Sequence, residues 1–455
     1  MIEKINRLNQ KGNKVTIIGM KKSGFAAALL GNHLGSTIFV SDINKNKEVI
    51  NNRDALEDKG IDCEIGKHTN RIYDSDYWVI SPGVPSDIDI IKKAKEKKIP
   101  IIGEIEFASK LTNLPIIAVT GSNGKSTTVS IMYNMLRTEN LRPILAGNIG
   151  IPLSKVILEE IKNPDIGNIL ILEISSFQLE FINHFRPMIS VFLNISPDHL
   201  DRHKNMDEYI KMKLKMITNS KGNDKIVYNE DDDIFRNYFC GQRSNEIRFS
   251  IKNKTQFFSV NKTKIYDQNN ELFCSLDEVL LKGKHNLSNL IASATVAKIL
   301  NVDSQTIKNT MKNYSGIDHR LQTIRKLNGV TYINDSKATN IQSVIVATNS
   351  FNNPIILILG GKNKNSDFRL LLPHTKRHVK HIVSYGEAGG EIATAIGDAV
   401  RLNRVSSLSQ AVASAHKLAT PGDIVLMSPG CASFDQFNNF EERGNKFSDL
   451  VNNLQ

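Results

Sequence analysis

The chain is poor in the features that would place a protein outside the cell or in a membrane. Its 455 residues include only four cysteines, Cys63, Cys240, Cys274 and Cys431. They lie far apart and show no metal spacing, so reduced, structural thiols are the reading. No apolar run approaches the ~18 residues that a membrane span requires. The first residues, MIEKINRLNQKGNK, hold no apolar stretch of the kind a secretory signal needs, and a cytoplasmic enzyme is the expectation. There is no internal repeat at a fixed period and no low-complexity linker, which leaves solenoids and tethered arrays aside. Basic charge is present, with a formal net charge of +11 and a pI near 9.2, but it is diffuse. Its densest cluster, residues 374–381 (HTKRHVKH), lacks interleaved aromatics and reads as a solvated helix face more readily than as a nucleic-acid patch. With 40% hydrophobic and 23% charged residues, the composition is that of a soluble globular protein, long enough for two to four domains.

What the chain does contain is a phosphate loop. Residues 118–128, AVTGSNGKSTT, follow an apolar run at 115–118 and precede an amphipathic segment reaching Leu136. That order predicts strand, tight loop and helix. Gly121 and Gly124 let the backbone turn so that the N–H groups of Ser122, Asn123 and their neighbours form a concave nest at the positive end of a new helix. Lys125 adds a full charge. Ser126, followed by Thr127, places a hydroxyl where a phosphate-bound Mg²⁺ would need one. Val119 stands where the common pattern has its first glycine, so Thr120 and Gly121 take over the turn. The bland alternative is a strand-to-helix turn with a chance Gly-Lys-Ser.

Taken in order, residues 14–19 (KVTIIG) read as a buried strand, then a glycine turn, a helix through His33, and a strand from Thr37 that ends at Asp42. This is a Rossmann-like opening with a damaged fingerprint. Gly19, Ser23 and Gly24 are in place, but Lys21 sits where a dinucleotide site would have its second glycine, with Lys22 beside it. A nucleotide handle fits that mixture better than a redox cofactor, and Asp42 lies at about the ~20-residue distance from which an acid holds a ribose hydroxyl. This domain ends near Leu111. In the central block, Asn148 lies in a GNIG loop and Glu173 at the tip of a strand. There the carboxylate either shares a Mg²⁺ with Ser126 or is a solvated edge charge. A second strand at 190–194 runs into the polar segment 196–203, SPDHLDRH. The predicted helix 206–219 carries Lys211, Lys213 and Lys215, and spacing alone does not separate them. Asn286 and Asn289 share a face of a later helix, capping it or offering amides to a base. A third α/β block starts near Ile317, with strands at 321–324, 330–333, 354–359 and 424–427, and with polar ends at 334–340, 360–364 and 428–444.

Taken together, TGSNGKSTT, GNIG, LEISSFQLE, NISPDHLDRH, GKHNLSN, HR followed by NDSKATN, and SPGCASFDQFNNFEERG resemble the Mur ligase superfamily in order and spacing, essentially from end to end. Within it, SSFQL, NDSKATN and the last motif are similar to the D-glutamate-adding branch. The resemblance implies an α/β fold of three domains: a Rossmann-like domain (1–111) for a UDP-sugar substrate, a central ATPase-like parallel sheet (112–316), and a C-terminal Rossmann-like α/β domain (317–455) for the incoming amino acid. It implies that Lys125 and the loop amides hold ATP, that Ser126 and Glu173 hold one Mg²⁺, and that His199 is a ligand of a second. It aligns Lys213, through the Leu after it, with a lysine carbamylated by CO₂. Asn286, Asn289, Arg320 and Asp335 align with adenine, phosphate and ribose contacts, and Asn148 with a muramoyl contact. Thr339, Lys364, Ser433, Phe434 and Phe440 align with the amino-acid pocket. Asp42 and the turn carrying Gly19, Lys22, Ser23 and Gly24 align with the uridine diphosphate end.

The activity so implied is ATP-dependent ligation of D-glutamate to UDP-MurNAc-L-alanine through an acyl phosphate, in peptidoglycan precursor synthesis. The expected protein is a cytoplasmic monomer that uses no nucleic acid and inserts in no membrane. Two other readings stand beside it: another Mur or folylpolyglutamate-type ligase, since the first two motifs are shared with both, and a non-ligase nucleotide-binding protein.

Overall fold

The computed structural model describes residues 11–148, 150–198, 202–240, 244–363 and 366–455. The chain forms two compact units, Met1–Tyr314 and Ser315–Gln455.

The first unit holds two parallel sheets and a small antiparallel one. Strands β1 (Lys14–Ile18), β2 (Thr37–Asp42), β3 (Asp62–Ile65), β4 (Tyr77–Ile80) and β5 (Ile101–Gly103) form the first, in the order β3-β2-β1-β4-β5. Its central strands β1 and β4 are buried nearly throughout, as strands covered on both faces are. The order reverses beside β1, and the crevice beyond the carboxyl ends of such strands is where open parallel sheets bind ligands.

The second sheet comprises β6 (Ile116–Thr120), β7 (Pro143–Gly147), β8 (Ile169–Glu173), β9 (Ile189–Phe192), β10 (Lys225–Asn229) and β11 (Glu246–Phe249), in the order β11-β10-β9-β6-β8-β7. Register sets Val119 opposite Glu173, and Glu173 opposite Gly147, so the ends of β6, β8 and β7 stand level. Helix Lys125–Leu136 packs on helix Lys284–Ile299, whose buried face is mostly small residues. The close approach lets Ser293 Oγ donate to Thr128 O at 3.1 Å. Strands β12 (Phe258–Asn261), β13 (Lys264–Asp267) and β14 (Leu272–Ser275) form the antiparallel meander. Three polar ties join segments of the first sheet to those of the second. Glu106 accepts the backbone N–H groups of Asn183, His184 and Phe185, Glu104 accepts that of Ser154, and Arg202 donates both to Glu180 and to Val84 O.

In the second unit β15 (Gln322–Leu327), β16 (Val330–Asn334), β17 (Ile355–Gly360), β18 (Val379–Tyr385), β19 (Leu402–Arg404) and β20 (Ile424–Gly430) take the order β15-β16-β20-β17-β18-β19. All neighbours are parallel except β15 with β16. The expected helix face at 374–381 needs correction, because helix Leu372–His378 stops there and Lys380 and His381 belong to β18. Lys380 donates to Asp423 and Thr420, so this charge is tied down within the fold. The helix expected at 206–219 is also shorter, Met206–Leu214, and closes in a tight turn at Lys215–Ile217.

Candidate active site

The site grows from the end of β6. Thr120 Oγ1 donates to Ile174 O at 3.0 Å, fixing the strand end to the segment leaving β8. The loop that follows is held from outside by Asn194. Ser122 N donates to Asn194 O and Asn123 N to Asn194 Oδ1, while Asn194 Nδ2 returns to Asn123 O. Ser122 Oγ donates to Ser196 O and lies 3.1 Å from Tyr209 OH. Gly124 sits at φ +83°, and a Cβ there would stand 2.5 Å from Asn289 Oδ1. Asn289 is 5% exposed and closes directly on the loop, whereas Asn286, three residues earlier, turns back to donate to Lys282 O. Helix Lys125–Leu136 then begins, and the N–H groups of its first turn have no intrahelical acceptor.

Two lysines bracket this loop. Lys125 Nζ donates to Gly121 O at 2.6 Å and Ser122 O at 2.8 Å. Lys213 Nζ donates to Gly121 O at 3.0 Å and lies over the Tyr209 ring. Lys213 is 1% exposed, whereas Lys211 is exposed and Lys215 donates to Leu179 O and Glu180 O. Burial, helped by the charge of Lys125, pushes the Lys213 amine down to about 7, with Asp198 and Glu173 acting in the opposite direction. Tyr209 is a residue that sequence reasoning missed. Its signal was its place four residues before Lys213 on one helix, which sets the two side chains on one face.

Glu173 is 2% exposed. Its Oε1 accepts from Asn148 Nδ2 at 2.9 Å, and Asn148 N donates to Glu173 O, so these two expected site residues meet. Its Oε2 is buried and has no hydrogen-bond partner among the described residues. A buried carboxylate oxygen without a donor among the described residues fits a hard divalent cation, and Ser126, in the first turn of the helix that follows β6, is buried as well. The Lys213 amine, in a site already holding Lys125, fits conversion to an anion. Among the described residues no cluster of three His, Cys, Asp or Glu side chains forms a metal cage, and His199 lies outside the described residues.

At the edge of the first sheet the chain turns between β1 and helix Lys22–His33. A Cβ on Gly24 would meet Gly19 O at 1.8 Å, so this close turn admits only glycine there. Asp42 lies beneath it. Its Oδ2 accepts from Met20 N at 2.7 Å, and its Oδ1 from Asn44 N and Asn44 Nδ2, both at 2.8 Å. Lys21 and Lys22 are exposed and Ser23 is half-buried.

In the second unit the polar ends of β16, β17 and β20 come to one edge. Asp335 accepts from Ser428 Oγ and Leu321 N, and burial pushes its carboxyl up to about 6. Arg320 is exposed and Thr339 half-buried. Arg443 is 0% exposed. Its guanidinium donates to Ser336 O, Ser336 Oγ and Cys431 O, and Ser336 Oγ donates to Phe440 O. Ser433 is buried while Phe434 is 61% exposed. Lys364 lies outside the described residues.

A glycine loop at a helix start, two lysines around it and a carboxylate with one unpartnered oxygen at the same sheet edge are features of an α/β protein suited to binding nucleotide phosphates. The chain belongs to the Mur ligase family. Family models match in three places: MurD N-terminal domain over residues 14–90, Mur ligase middle domain over 119–297, and Mur ligase, glutamate ligase domain over 319–431. A curated relative from Christiangramia forsetii, named UDP-N-acetylmuramoylalanine--D-glutamate ligase, is 37% identical over 451 residues, covering 97% of this chain and all of the relative. One of the same name from Acidobacterium capsulatum is 38% identical over 449 residues, covering 97% and 96%. Among solved structures, UDP-N-acetylmuramate-alanine ligase MurC of Thermotoga maritima superposes with a TM-score of 0.55 at 17% identity, covering 97% of this chain and 99% of that one. MurF ligase of Thermotoga maritima in complex with ADP gives 0.53 at 16%, covering 99% and 98%. These two share the fold.

Proposed function

We propose that the chain is an ATP-dependent ligase that joins D-glutamate to UDP-MurNAc-L-alanine in the cytoplasm, acting as a monomer built of the three domains 1–111, 112–316 and 317–455. Relatives bearing that name match along the whole chain. The observation that carries the chemistry is the conjunction of Lys125, Lys213 and the unpartnered Glu173 oxygen at one sheet edge.

A carboxylate does not form an amide at neutral pH because its oxygen leaves poorly. Transfer of the ATP γ-phosphoryl to it gives an acyl phosphate and ADP, and attack by the D-glutamate amine then forms the amide and releases phosphate. The chain's part is positioning and charge compensation. Lys125, the loop amides and Thr127 bind the phosphates. Asn286 and Asn289 bind the rest of the nucleotide, and Asn148 orients the muramoyl substrate. Ser126 and Glu173 would hold one Mg²⁺, and His199 with a carbamylated Lys213 a second; bound there, the cations offset the negative charge of the triphosphate and the substrate carboxylate. Thr339, Lys364, Ser433, Phe434 and Phe440 form the amino-acid pocket, and Gly19, Lys22, Ser23, Gly24 and Asp42 hold the uridine end.

The test is phosphate release from ATP with UDP-MurNAc-L-alanine and Mg²⁺, comparing D-glutamate with L-glutamate, L-lysine and meso-diaminopimelate. Release with D-glutamate alone is expected. Release with another amino acid would keep the chemistry and overturn the assignment of 433–440.

A further inference from the structure

The carboxyl edge of the first sheet carries a polar cluster that none of the motifs above includes. Ser41, the residue before Asp42, is fully buried, and its Oγ lies 2.7 Å from Glu64 Oε1 and 2.6 Å from His68 Nδ1. Burial disfavours charge on Glu64, but donors outweigh it. Thr69 N, Thr69 Oγ1 and Ser41 Oγ all reach the carboxylate and hold its pKa below the ordinary value. Ser41 has one hydroxyl proton, and an ionised Glu64 takes it. His68 Nδ1 must therefore be the donor to Ser41 Oγ. The tautomer follows: a neutral ring carries its proton on Nδ1 and leaves Nε2 as a bare acceptor. Burial holds the imidazole below its ordinary pKa, so this neutral form prevails.

Nε2 of this half-buried ring has no partner among the described residues. Among the described residues the neighbouring carboxylates are largely taken up. Asp42, the acid that sequence spacing offers for a ribose hydroxyl, already accepts three hydrogen bonds from the turn, against roughly four lone-pair positions on a carboxylate. Glu64 likewise accepts three, one from Ser41 and two from Thr69. The loop bearing His68 folds back over the end of β2, with Gly66 N donating to Asp42 O.

We propose that His68 is a specificity-determining residue for the nucleoside end of the substrate, accepting on Nε2 a hydrogen bond from a donor of the uridine, either the base N3–H or a ribose hydroxyl. This rests on the reading that the first sheet binds the uridine diphosphate end.

Two substitutions separate recognition from support. An asparagine amide overlays Nδ1 and keeps the bond to Ser41, but ends short of Nε2. A glutamine reaches Nε2 and gives up Nδ1. In the full-length chain, His68→Asn should raise KM for UDP-MurNAc-L-alanine about tenfold, the effect of losing one hydrogen bond to the ligand. Both kcat and KM for ATP should stay unchanged, as should the melting temperature, and His68→Gln should recover most of the affinity. Inhibition by UDP, 2′-deoxy-UDP, 3′-deoxy-UDP and N3-methyl-UDP identifies the donor. One of the analogues should bind wild type more weakly than UDP does, and that preference should vanish in His68→Asn. An unchanged KM in His68→Asn, or a nucleotide preference that survives the substitution, overturns the assignment. So does equal inhibition of wild type by all four nucleotides. If wild type recognises no uridine nucleotide, both this inference and the ligase reading fall; if wild type turns over and His68→Asn matches it, only this one does.

Discussion

The molecule contains two strand–turn–helix corners, each at the carboxyl edge of a parallel sheet, and they are neutralised in opposite ways. At β1 the turn is closed from within by a carboxylate, because Asp42 takes the Met20 N–H that an incoming phosphate would otherwise meet. At β6 the loop is closed by cations, since Lys125 and Lys213 donate to its carbonyl oxygens. The first corner is complete as it stands. The second holds two like charges close together in a buried place, an arrangement that anions stabilise. The same backbone scheme thus yields a turn tied to a carboxylate at one sheet and a loop bracketed by lysines at the other.

The largest expected effect comes from removing the cation that defines the second corner. Lys125→Ala should lower kcat by on the order of 10²–10³-fold, the usual scale for one electrostatic stabiliser of a transition state. A rate near wild type in an ADP-formation assay would mean that Lys125 only braces loop carbonyls. Gly124→Ala comes next. It forces alanine to φ +83° and its Cβ against Asn289 Oδ1, so KM for ATP should rise tenfold or more (~1.4 kcal/mol).

Lys213 tests the like-charge argument through pH. Its folded pKa, about 7, lies below the unfolded value, so between roughly pH 7 and 10 the unfolded chain binds the extra proton and stability rises with pH. The penalty is fully present below about pH 7. In CO₂-free buffer, Lys213→Met should therefore raise the melting temperature most at pH 6, with a gain that fades toward pH 10. A gain independent of pH would leave the lysine's charge out of the account. In the first corner, Asp42→Ala should cost about 1–3 kcal/mol of stability by leaving Met20 N buried and unpaired, as read from urea unfolding. The smallest effect belongs to the exposed pair Lys21→Gln with Lys22→Gln. KM for the uridine substrate should rise no more than about threefold at low salt, a difference that disappears at high salt as screening removes it.

Much of this was legible in the sequence because it depends on near neighbours. The phosphate loop lies within eleven residues, and its strand, glycines and helix are fixed by local pattern. Lys213 was one of three candidates. Residues two apart on a helix point roughly 200° apart, so only one of the three could share the buried face with Tyr209. What stayed hidden depends on distant segments. Asn194 reaches the loop from 71 residues away, and nothing local marks it as a clamp. The partner of Asp42 is a backbone N–H in the turn after β1, visible only once β1 and β2 lie side by side. The sequence pattern places strand β20 at 424–427, and Pro429 has no N–H to give to a central ladder. It runs on to Gly430 across a register shift opposite Leu359, which takes up the missing donor.

That same strand bears on how the second unit comes into being on the ribosome. β20 sits between β16 and β17, yet it is the last strand to be made, beginning ninety residues after β16 ends at Asn334. Until Ile424–Gly430 has left the tunnel, the sheet has a vacant centre, and β16 and β17 each show an unpaired apolar edge. The unit therefore folds late and all at once, after its translation is nearly finished, while the first unit is free to fold ahead of it. Shortening the chain from its C-terminus by thirty-odd residues would take the middle out of a sheet, and the nascent second unit is the stretch most in need of protection from pairing with other chains.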